Sequence, residues 1–168
     1  KWAFVTDYVR LYALFNYGGV YMDTDAELIM GIDAFLNEPA FSGFESTQYI
    51  LTAIMGAEKG SEWIGLLLRD YDDRHFKKDD GSYDLTTNVK VITVKKYGIE
   101  LNNQFQRIDD TLTIYPSDYF CPKDWQTGKI NITENTYCIH HFNASWYGEK
   151  EKIDMELWKL CNNKKISL

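Results

Sequence analysis

Helical and strand-like patterns of apolar residues alternate along this sequence. Over Trp2–Tyr17 apolar residues recur at helical spacing and predict an amphipathic helix, which a pair of glycines ends. An apolar run at residues 20–22 then predicts a strand, and Asp23 and Asp25 would lie at its carboxyl end. Glycine tolerates the backbone angles that a tight helix-to-strand turn requires. The pattern therefore predicts a helix, a sharp turn and a strand that ends in two carboxylates.

The rest of the chain continues the alternation. Further strands are predicted at residues 41–44, 50–55, 111–115 and 136–141, and further helices at 60–71, 86–97 and 149–161. Helices and strands in this order predict an α/β fold with a mixed sheet flanked by helices. No internal repeat, low-complexity tract or linker interrupts the sequence, so residues 1–168 are expected to form one domain.

The composition suits a globular domain and excludes several functions. The chain has 168 residues, of which 45% are hydrophobic, enough for a packed core. A net charge of -7 argues against nucleic-acid binding through a basic surface, and no apolar stretch approaches the ~20 residues that span a bilayer. Three cysteines without a C-x-x-C pair suit a reducing compartment. An anionic ligand would need a metal ion or a local cation.

The acidic pair Asp23 and Asp25 is a candidate metal site. Residues two apart on a strand point to the same face, so both carboxylates can approach a common point beyond the strand end. Carboxylate oxygens suit Mg²⁺ or Mn²⁺, and the crevice at the carboxyl ends of strands is where open α/β sheets bind ligands. A solvated turn is the ordinary interpretation of a lone D-x-D, and the preceding glycines and apolar strand favour the site.

Two other segments carry candidate polar groups. Asp7 and Arg10 are three residues apart and are neighbours on one helix face, where a surface ion pair is the simple alternative. Residues 139–146 bring His140, His141, two small polar side chains and an indole together. Imidazole is an accepted ligand for transition metals, although an isolated His is more often structural.

These motifs resemble a known family of enzymes. Residues 4–28 read FVTDYVRLYALFNYGGVYMDTDAEL, which resembles the D-Y-x-R-x-x-x-L helix and the G-G-x-Y-x-D-x-D segment of the DXD-containing sugar-nucleotide glycosyltransferases of family 32. Residues 139–146 read IHHFNASW and are similar to the closing H-H-x-x-x-S-W segment of that family. The two matches bracket most of the chain, and the sequence between them is matched only loosely.

The resemblance implies a GT-A fold and metal-dependent transfer of a hexosyl group, with retention, from a nucleoside diphosphate sugar to a glycan or other hydroxyl acceptor. A UDP-sugar is the favoured donor, Mn²⁺ or Mg²⁺ the cofactor, and capsular or exopolysaccharide synthesis the expected process. By position, Asp25 is expected to bind the metal directly, Asp23 the ribose and the metal, and His141 the metal from the C-terminal side. The expected donor contacts are Asp7 and Arg10 on the sugar hydroxyls and Ser145 and Trp146 over the diphosphate.

The sequence departs from the family pattern at two places. The family's first nucleotide-binding strand is absent, so we expect a single GT-A catalytic domain fragment that is incomplete at its N-terminus. The family's T-G-P is replaced by residues 86–88, Thr-Thr-Asn, on the expected acceptor side. Glu45 and Asp84 are candidate nucleophiles, although surface positions are their ordinary interpretation. A front-face attack, which needs no protein nucleophile, is preferred.

Three alternatives stay open at this point. The fragment could bind a nucleotide sugar or glycan without turnover. The D-x-D could be that of a haloacid-dehalogenase-type phosphotransferase with Asp23 as nucleophile, although Glu27 departs from that pattern. A zinc site could form from two cysteines and two histidines, although their spacing fits no common finger; these are Cys121, Cys138, His140 and His141.

The sequence also bears on the compartment. Two N-glycosylation sequons begin at Asn131 and Asn143, and a glycan on the second would obstruct the proposed donor site. We therefore expect a cytoplasmic bacterial enzyme, with peripheral association at the inner face of the membrane left open. The lumen of the Golgi is the alternative for a eukaryotic protein.

Overall fold

Helices and strands alternate along the chain, as the hydrophobic pattern predicts. A computed structural model describes residues 2–72, 74–81, 87–143, 152–154 and 156–157. The helices are α1 (Trp2–Tyr17), α2 (Glu62–Arg69), α3 (Val89–Tyr97) and α4 (Ser117–Phe120), and a 3₁₀ turn spans Asp33–Phe35. The strands are β1 (Gly19–Met22), β2 (Ala26–Leu28), β3 (Ala40–Ser46), β4 (Tyr49–Ile50), β5 (Ile54–Ala57), β6 (Gln106–Ile108), β7 (Leu112–Tyr115) and β8 (Cys138–His140).

The main sheet is mixed and has the strand order β1-β5-β3-β7-β6, with β4 paired to β3. Strands β3 and β7 are parallel, and the other pairs are antiparallel. Since β1 and β3 both run antiparallel to β5, the carboxyl ends of β1, β3 and β7 lie at one edge of the sheet. A separate two-stranded ribbon pairs β2 with β8. The expected α/β fold with a mixed sheet is confirmed.

Apolar side chains cover both faces of the sheet. Helices α1, α2 and α3 pack on one face of the sheet through residues such as Leu14 and Trp63. The indole nitrogen of Trp63 on α2 donates to Thr93 Oγ1 on α3 at 2.9 Å. The other face carries a second cluster around Phe35, with α4 and β8. Alternation along β3 sends Ala40 and Phe44 into the first cluster and Phe41 into the second.

The two glycines make the turn between α1 and β1, as expected. Gly18 has a φ of 71°, in the left-handed region that side chains disfavour. A Cβ at this position would also lie 2.7 Å from the backbone nitrogen of Lys59. Only glycine therefore lets α1 pass directly into the strand that carries the acidic pair.

The predicted strand at residues 50–55 is wrong as a single element. Phe41 pairs with Gly56 and Phe44 pairs with Ile50, so residues 51–55 lie opposite only two residues of β3. The excess forms a bulge that separates β4 from β5. Ser42, buried on β3, fixes the bulge because its hydroxyl lies within hydrogen-bonding distance of the carbonyls of Leu51 (2.8 Å) and Ile54 (3.1 Å). Local hydrophobicity cannot reveal this bulge, since it depends on the register with β3.

The remaining elements differ from expectation mainly at their ends. Helix α2 is shorter than predicted, and α3 ends as predicted before Gly98, which is left-handed. Strands β2 and β6 and helix α4 were not predicted. Of the last predicted helix, residues 152–154 and 156–157 are helical and the rest lies outside the described residues. Within the described part of the chain, no helix has the length and apolar character needed to cross a membrane.

Candidate functional site

Asp23 and Asp25 lie in a turn at the edge where β1 ends. Strand β1 stops at Met22, so both acids lie just beyond its carboxyl end, in a turn and not on the strand itself. The chain turns here because β2 leaves the main sheet to pair with β8. The turn is held by two backbone bonds, from Ala26 N to Asp23 O at 3.0 Å and from Asp23 N to Ala53 O at 2.8 Å. The bulge between β4 and β5 supplies the second acceptor.

The ribbon of β2 and β8 brings an imidazole to the acidic turn. His140 pairs with Ala26 in register, and its Nε2 lies 3.5 Å from Asp25 Oδ1. One ligand atom from each of Asp23, Asp25 and His140 lies within 4.8 Å of the others. In the residues that the structure describes, no other group of three His, Cys, Asp or Glu meets this criterion. Two carboxylate oxygens and one imidazole nitrogen are a donor set that fits a divalent ion such as Mn²⁺.

The predicted ligand His141 lies outside this group. Its Nε2 is 2.7 Å from Glu27 Oε2, while its backbone nitrogen donates to Asp25 O at 2.9 Å. Successive side chains along an extended segment point to opposite sides, so only one of the two neighbouring imidazoles can face the acids. The ribbon register selects His140. The sequence identified the segment that carries the imidazole, but the choice between His140 and His141 required the pairing of β8 with β2.

Burial keeps the His140 ring in the form that binds metals. Burial lowers the pKa of His140, and the opposing effects of the Asp25 and Asp23 carboxylates are smaller. A neutral imidazole offers a nitrogen lone pair. Its Nδ1 is fully buried and has no hydrogen-bond partner among the described residues. The Phe142 ring packs beside it, with the ring centroids 4.1 Å apart.

Arg10 joins helix α1 to the acidic turn. It is 6% exposed, and its Nη2 lies 2.9 Å from Asp7 Oδ1 and 3.3 Å from Asp23 Oδ1. Its Nη1 donates to Thr52 O at 2.6 Å, at the bulge between β4 and β5. The guanidinium also lies 4.6 Å from the centre of the Tyr21 ring. Arg10 is buried and Asp7 is half-buried, so the two form a partly buried ion pair that extends to Asp23.

The carboxylates next to Arg10 differ in their surroundings. Burial raises the pKa of Asp7, and Arg10 opposes part of this effect. Tyr21 donates its hydroxyl to Asp23 Oδ1 at 2.6 Å, and burial together with this bond raises the tyrosine pKa. Sequence analysis missed Tyr21, although its position two residues before Asp23 is a usable signal. The bond leaves Asp23 Oδ2 for a ligand.

The segment after β8 closes over Asp25. Phe142 has a φ of 54°, which is unusual for a bulky residue, and the following Asn143 N donates to Asp25 Oδ2 at 2.8 Å. The sequence indicated Asn143 as a small polar residue of this segment and as part of a sequon, but not the contact of its backbone nitrogen with Asp25. The predicted donor residues Ser145 and Trp146, and the candidate nucleophile Asp84, lie outside the described residues.

Two further predictions concern residues near the ribbon. Cys121 and Cys138 are buried free thiols, and burial raises the pKa of each. Neither belongs to a group of three possible ligands in the described chain, so the zinc alternative is not supported. Glu45 is half-buried near the end of β3, and its role as a nucleophile stays a prediction.

Comparison with known proteins supports a glycosyltransferase role. Residues 1–42 match the family model described as the glycosyltransferase sugar-binding region containing DXD motif. The matched region contains Asp7, Arg10, Asp23 and Asp25 and ends within β3, before the strand that carries His140. Neither the curated proteins nor the solved structures give a significant match. The chain is thus similar, over its first 42 residues, to a family that uses a DXD motif to bind sugar nucleotides, typically with a divalent metal.

Proposed function

We propose that this protein transfers a hexosyl group from a nucleoside diphosphate sugar to a hydroxyl group of a glycan or other acceptor, with Mn²⁺ or Mg²⁺ as cofactor. One observation carries the proposal: Asp23 and Asp25 of the matched region converge with His140 beside the partly buried pair of Asp7 and Arg10. Finer points of the proposal are a UDP-sugar donor, retention by front-face attack, and surface polysaccharide synthesis in a bacterial cytoplasm.

The acidic turn and His140 would hold the metal ion. The protein has a net charge of -7 and the diphosphate is an anion, so a cation is needed between them. A divalent ion supplies Lewis-acid stabilisation of the negative charge on the departing diphosphate. Tyr21 and Asn143 N bind one oxygen each of Asp23 and Asp25, which fixes the two carboxylates before the donor arrives.

The donor sugar would lie against Asp7. Arg10 directs its Nη atoms at protein oxygens on Asp7, Asp23 and Thr52, so we assign it to positioning. Asp7 Oδ1 faces Arg10, and Oδ2 can accept a hydrogen bond from a hydroxyl of the sugar. Ser145 and Trp146 stay predicted contacts to the diphosphate. That residues 1–168 form one catalytic domain fragment stays a prediction as well.

Release of UDP from a panel of UDP-sugars, with and without Mn²⁺, tests the proposal. Turnover should require the metal and fall at least about 10²-fold in Asp25→Asn, the size of loss expected when charge stabilisation is removed. Asp79→Asn, at an exposed acid, is the matched control. Metal-independent turnover contradicts the proposal, and binding without turnover favours the non-catalytic alternative.

A pair of variants tests which imidazole holds the metal. His140→Ala should weaken Mn²⁺ binding measured by calorimetry, whereas His141→Ala should retain most of it because its ring contacts Glu27. The reverse order would restore the original prediction of His141. The phosphotransferase alternative finds little support, because Glu27 departs from its pattern and residues 1–42 match the sugar-binding region that contains a DXD motif. Trapping of a fluoroberyllate on Asp23 would reinstate it.

A further inference from the structure

A second acidic group lies at the edge of the sheet that carries the acidic turn. Glu45 is near the carboxyl end of β3, and β3 runs in the same direction as β1 with β5 between them. Two strand spacings put the backbones of β1 and β3 about 10 Å apart. Glu45 and the acidic turn therefore lie at the same edge, on either side of the bulge.

The Glu45 side chain is on the face that carries β8. The register of β3 with β4 shifts between Phe44 and Ser46, so the neighbours of Glu45 place its side chain better than strand alternation does. The apolar cluster on this face contains Phe41, Cys121 and Cys138. Burial chiefly raises the pKa of the Cys121 thiol, and the charges of Glu45 and Cys138 raise it further, so Cys121 lies near both. Cys138 is two residues before His140 on the same strand. The carboxyl thus shares a layer with the imidazole of the candidate metal site.

The backbone just before Glu45 packs closely against neighbouring elements. Leu51 N donates to Gly43 O at 2.8 Å, which ties β3 to the bulge. A Cβ at Gly43 would lie 3.0 Å from a ring carbon of Phe120, so α4 packs directly on this part of the strand. Glu45 follows this packed segment by two residues and lies on the strand where its register with β4 shifts.

The Glu45 carboxyl has no hydrogen-bond or ion-pair partner in the described part of the chain. The titratable side chains on elements packed against β3 are Tyr49, Tyr115, Asp118 and Tyr119, with Cys121 directly after α4. Tyr115 donates to Glu38, and Asp118 accepts from Thr133 and Asn135. No Lys or Arg pairs with Glu45, and burial alone raises its pKa to about 7.

The carboxyl is not sealed from solvent. Fully buried side-chain polar atoms without a partner are found, among the described residues, only in Tyr97 and His140. The oxygens of Glu45 therefore reach water. A half-buried, unpaired carboxyl that reaches solvent and titrates near neutral pH has the properties of a general base.

We propose that Glu45 is a catalytic residue that takes the proton from the attacking hydroxyl group, an inference that rests on the proposed glycosyl transfer. The hydroxyl O–H bond breaks and the proton moves to a carboxylate oxygen of Glu45. The hydroxyl oxygen bonds to the anomeric carbon of the donor sugar. The bond between that carbon and the diphosphate breaks, and its electron pair leaves with the nucleoside diphosphate. Glu45 then releases the proton to water.

Hydrolysis of UDP-glucose, UDP-galactose and UDP-N-acetylglucosamine tests this role, with water as the attacking group. In the presence of Mn²⁺, wild-type turnover should rise with pH through about 7 and then level off, because the base must be ionised. Glu45→Gln should lower kcat about 10²-fold, abolish the rise with pH, and leave KM for the donor unchanged. Glu45→Asp, which keeps the carboxyl, should retain a pH-dependent profile at reduced kcat.

The outcomes separate this inference from the proposed function. Glu134→Gln, at an exposed acid, is the matched control and should behave as wild type. A Glu45→Gln protein with wild-type kcat and an unchanged pH profile overturns the role of Glu45 and leaves the transferase assignment intact. A wild-type protein that neither binds nor hydrolyses any of the three donors overturns the proposed function and the proton transfer together.

Discussion

Removal of the Arg10 charge should be one of the most destabilising single changes in this fold. The guanidinium is buried, lies 2.9 Å from Asp7 and 3.3 Å from Asp23, and donates to Thr52 O at 2.6 Å. Arg10→Met keeps much of the apolar stem but leaves two carboxylates uncompensated. Loss of one partner from a buried ion pair typically costs about 3–5 kcal/mol. The free energy of unfolding of a domain is about 5–15 kcal/mol in total, so Arg10→Met should lose a large part of its stability.

Urea unfolding followed by tryptophan fluorescence measures this loss. We expect the midpoint to fall with little change in slope, as for a two-state change in stability. The double variant Arg10→Met/Asp7→Asn should recover part of the loss, because it removes one of the two uncompensated charges. The loss should also shrink toward acid pH, since the pKa of Asp7 is already raised by burial and its carboxyl would protonate first.

Arg69→Met is the control for this experiment. Arg69 is exposed at the end of α2, so its replacement should lower the free energy of unfolding by less than about 0.5 kcal/mol. If Arg10→Met costs no more than this control, the buried charges do not depend on the guanidinium and the reasoning is refuted. Failure of the double variant to recover any stability would show instead that the bond to Thr52 and the packing on Tyr21 dominate.

Three further predictions concern the metal, a buried acid and a close contact. Mn²⁺ should raise the melting temperature of the wild-type protein in thermal unfolding and have no effect on Asp25→Ala, since binding to the folded state alone stabilises it. The pKa of Glu45 is about 7 when folded against 4.5 in the unfolded chain, so wild-type stability falls as pH rises between these values. Glu45→Gln should therefore match wild type near pH 4 and exceed it by up to about 3 kcal/mol at pH 8 in urea unfolding. A Cβ at Gly56 would lie 2.0 Å from the Phe41 ring, so Gly56→Ala should lower the unfolding free energy by at least about 1–3 kcal/mol, and Phe41→Leu in that background should restore part of it.

Local sequence patterns predicted the elements that local physics determines. Helix α1 has both its helical spacing and the glycines that end it, so its end is predicted correctly. The position of the acidic pair was predicted because it follows a short apolar run, and the two glycines before that run indicate a turn from a helix into a strand. The Asp7 and Arg10 pair was found because helical spacing makes residues three apart neighbours.

Features that depend on pairing between distant strands could not be predicted. The choice of His140 over His141 follows from its register with Ala26, more than a hundred residues away along the chain. The bulge before β5 follows from the register with β3. The burial of Glu45 depends on the layer that packs against its strand, which a single acidic residue in an apolar run does not reveal.

The ribbon of β2 and β8 joins an early strand to a late one, and the candidate metal site lies where they meet. An ion shared by Asp25 and His140 would close a loop of roughly a hundred residues, and closing a longer loop removes somewhat more entropy from the unfolded chain than a local cross-link does. Chelation should then loosen the C-terminal strand before the main sheet. Hydrogen exchange at Ile139 and His141 would thus report on metal loading even when no sugar is transferred.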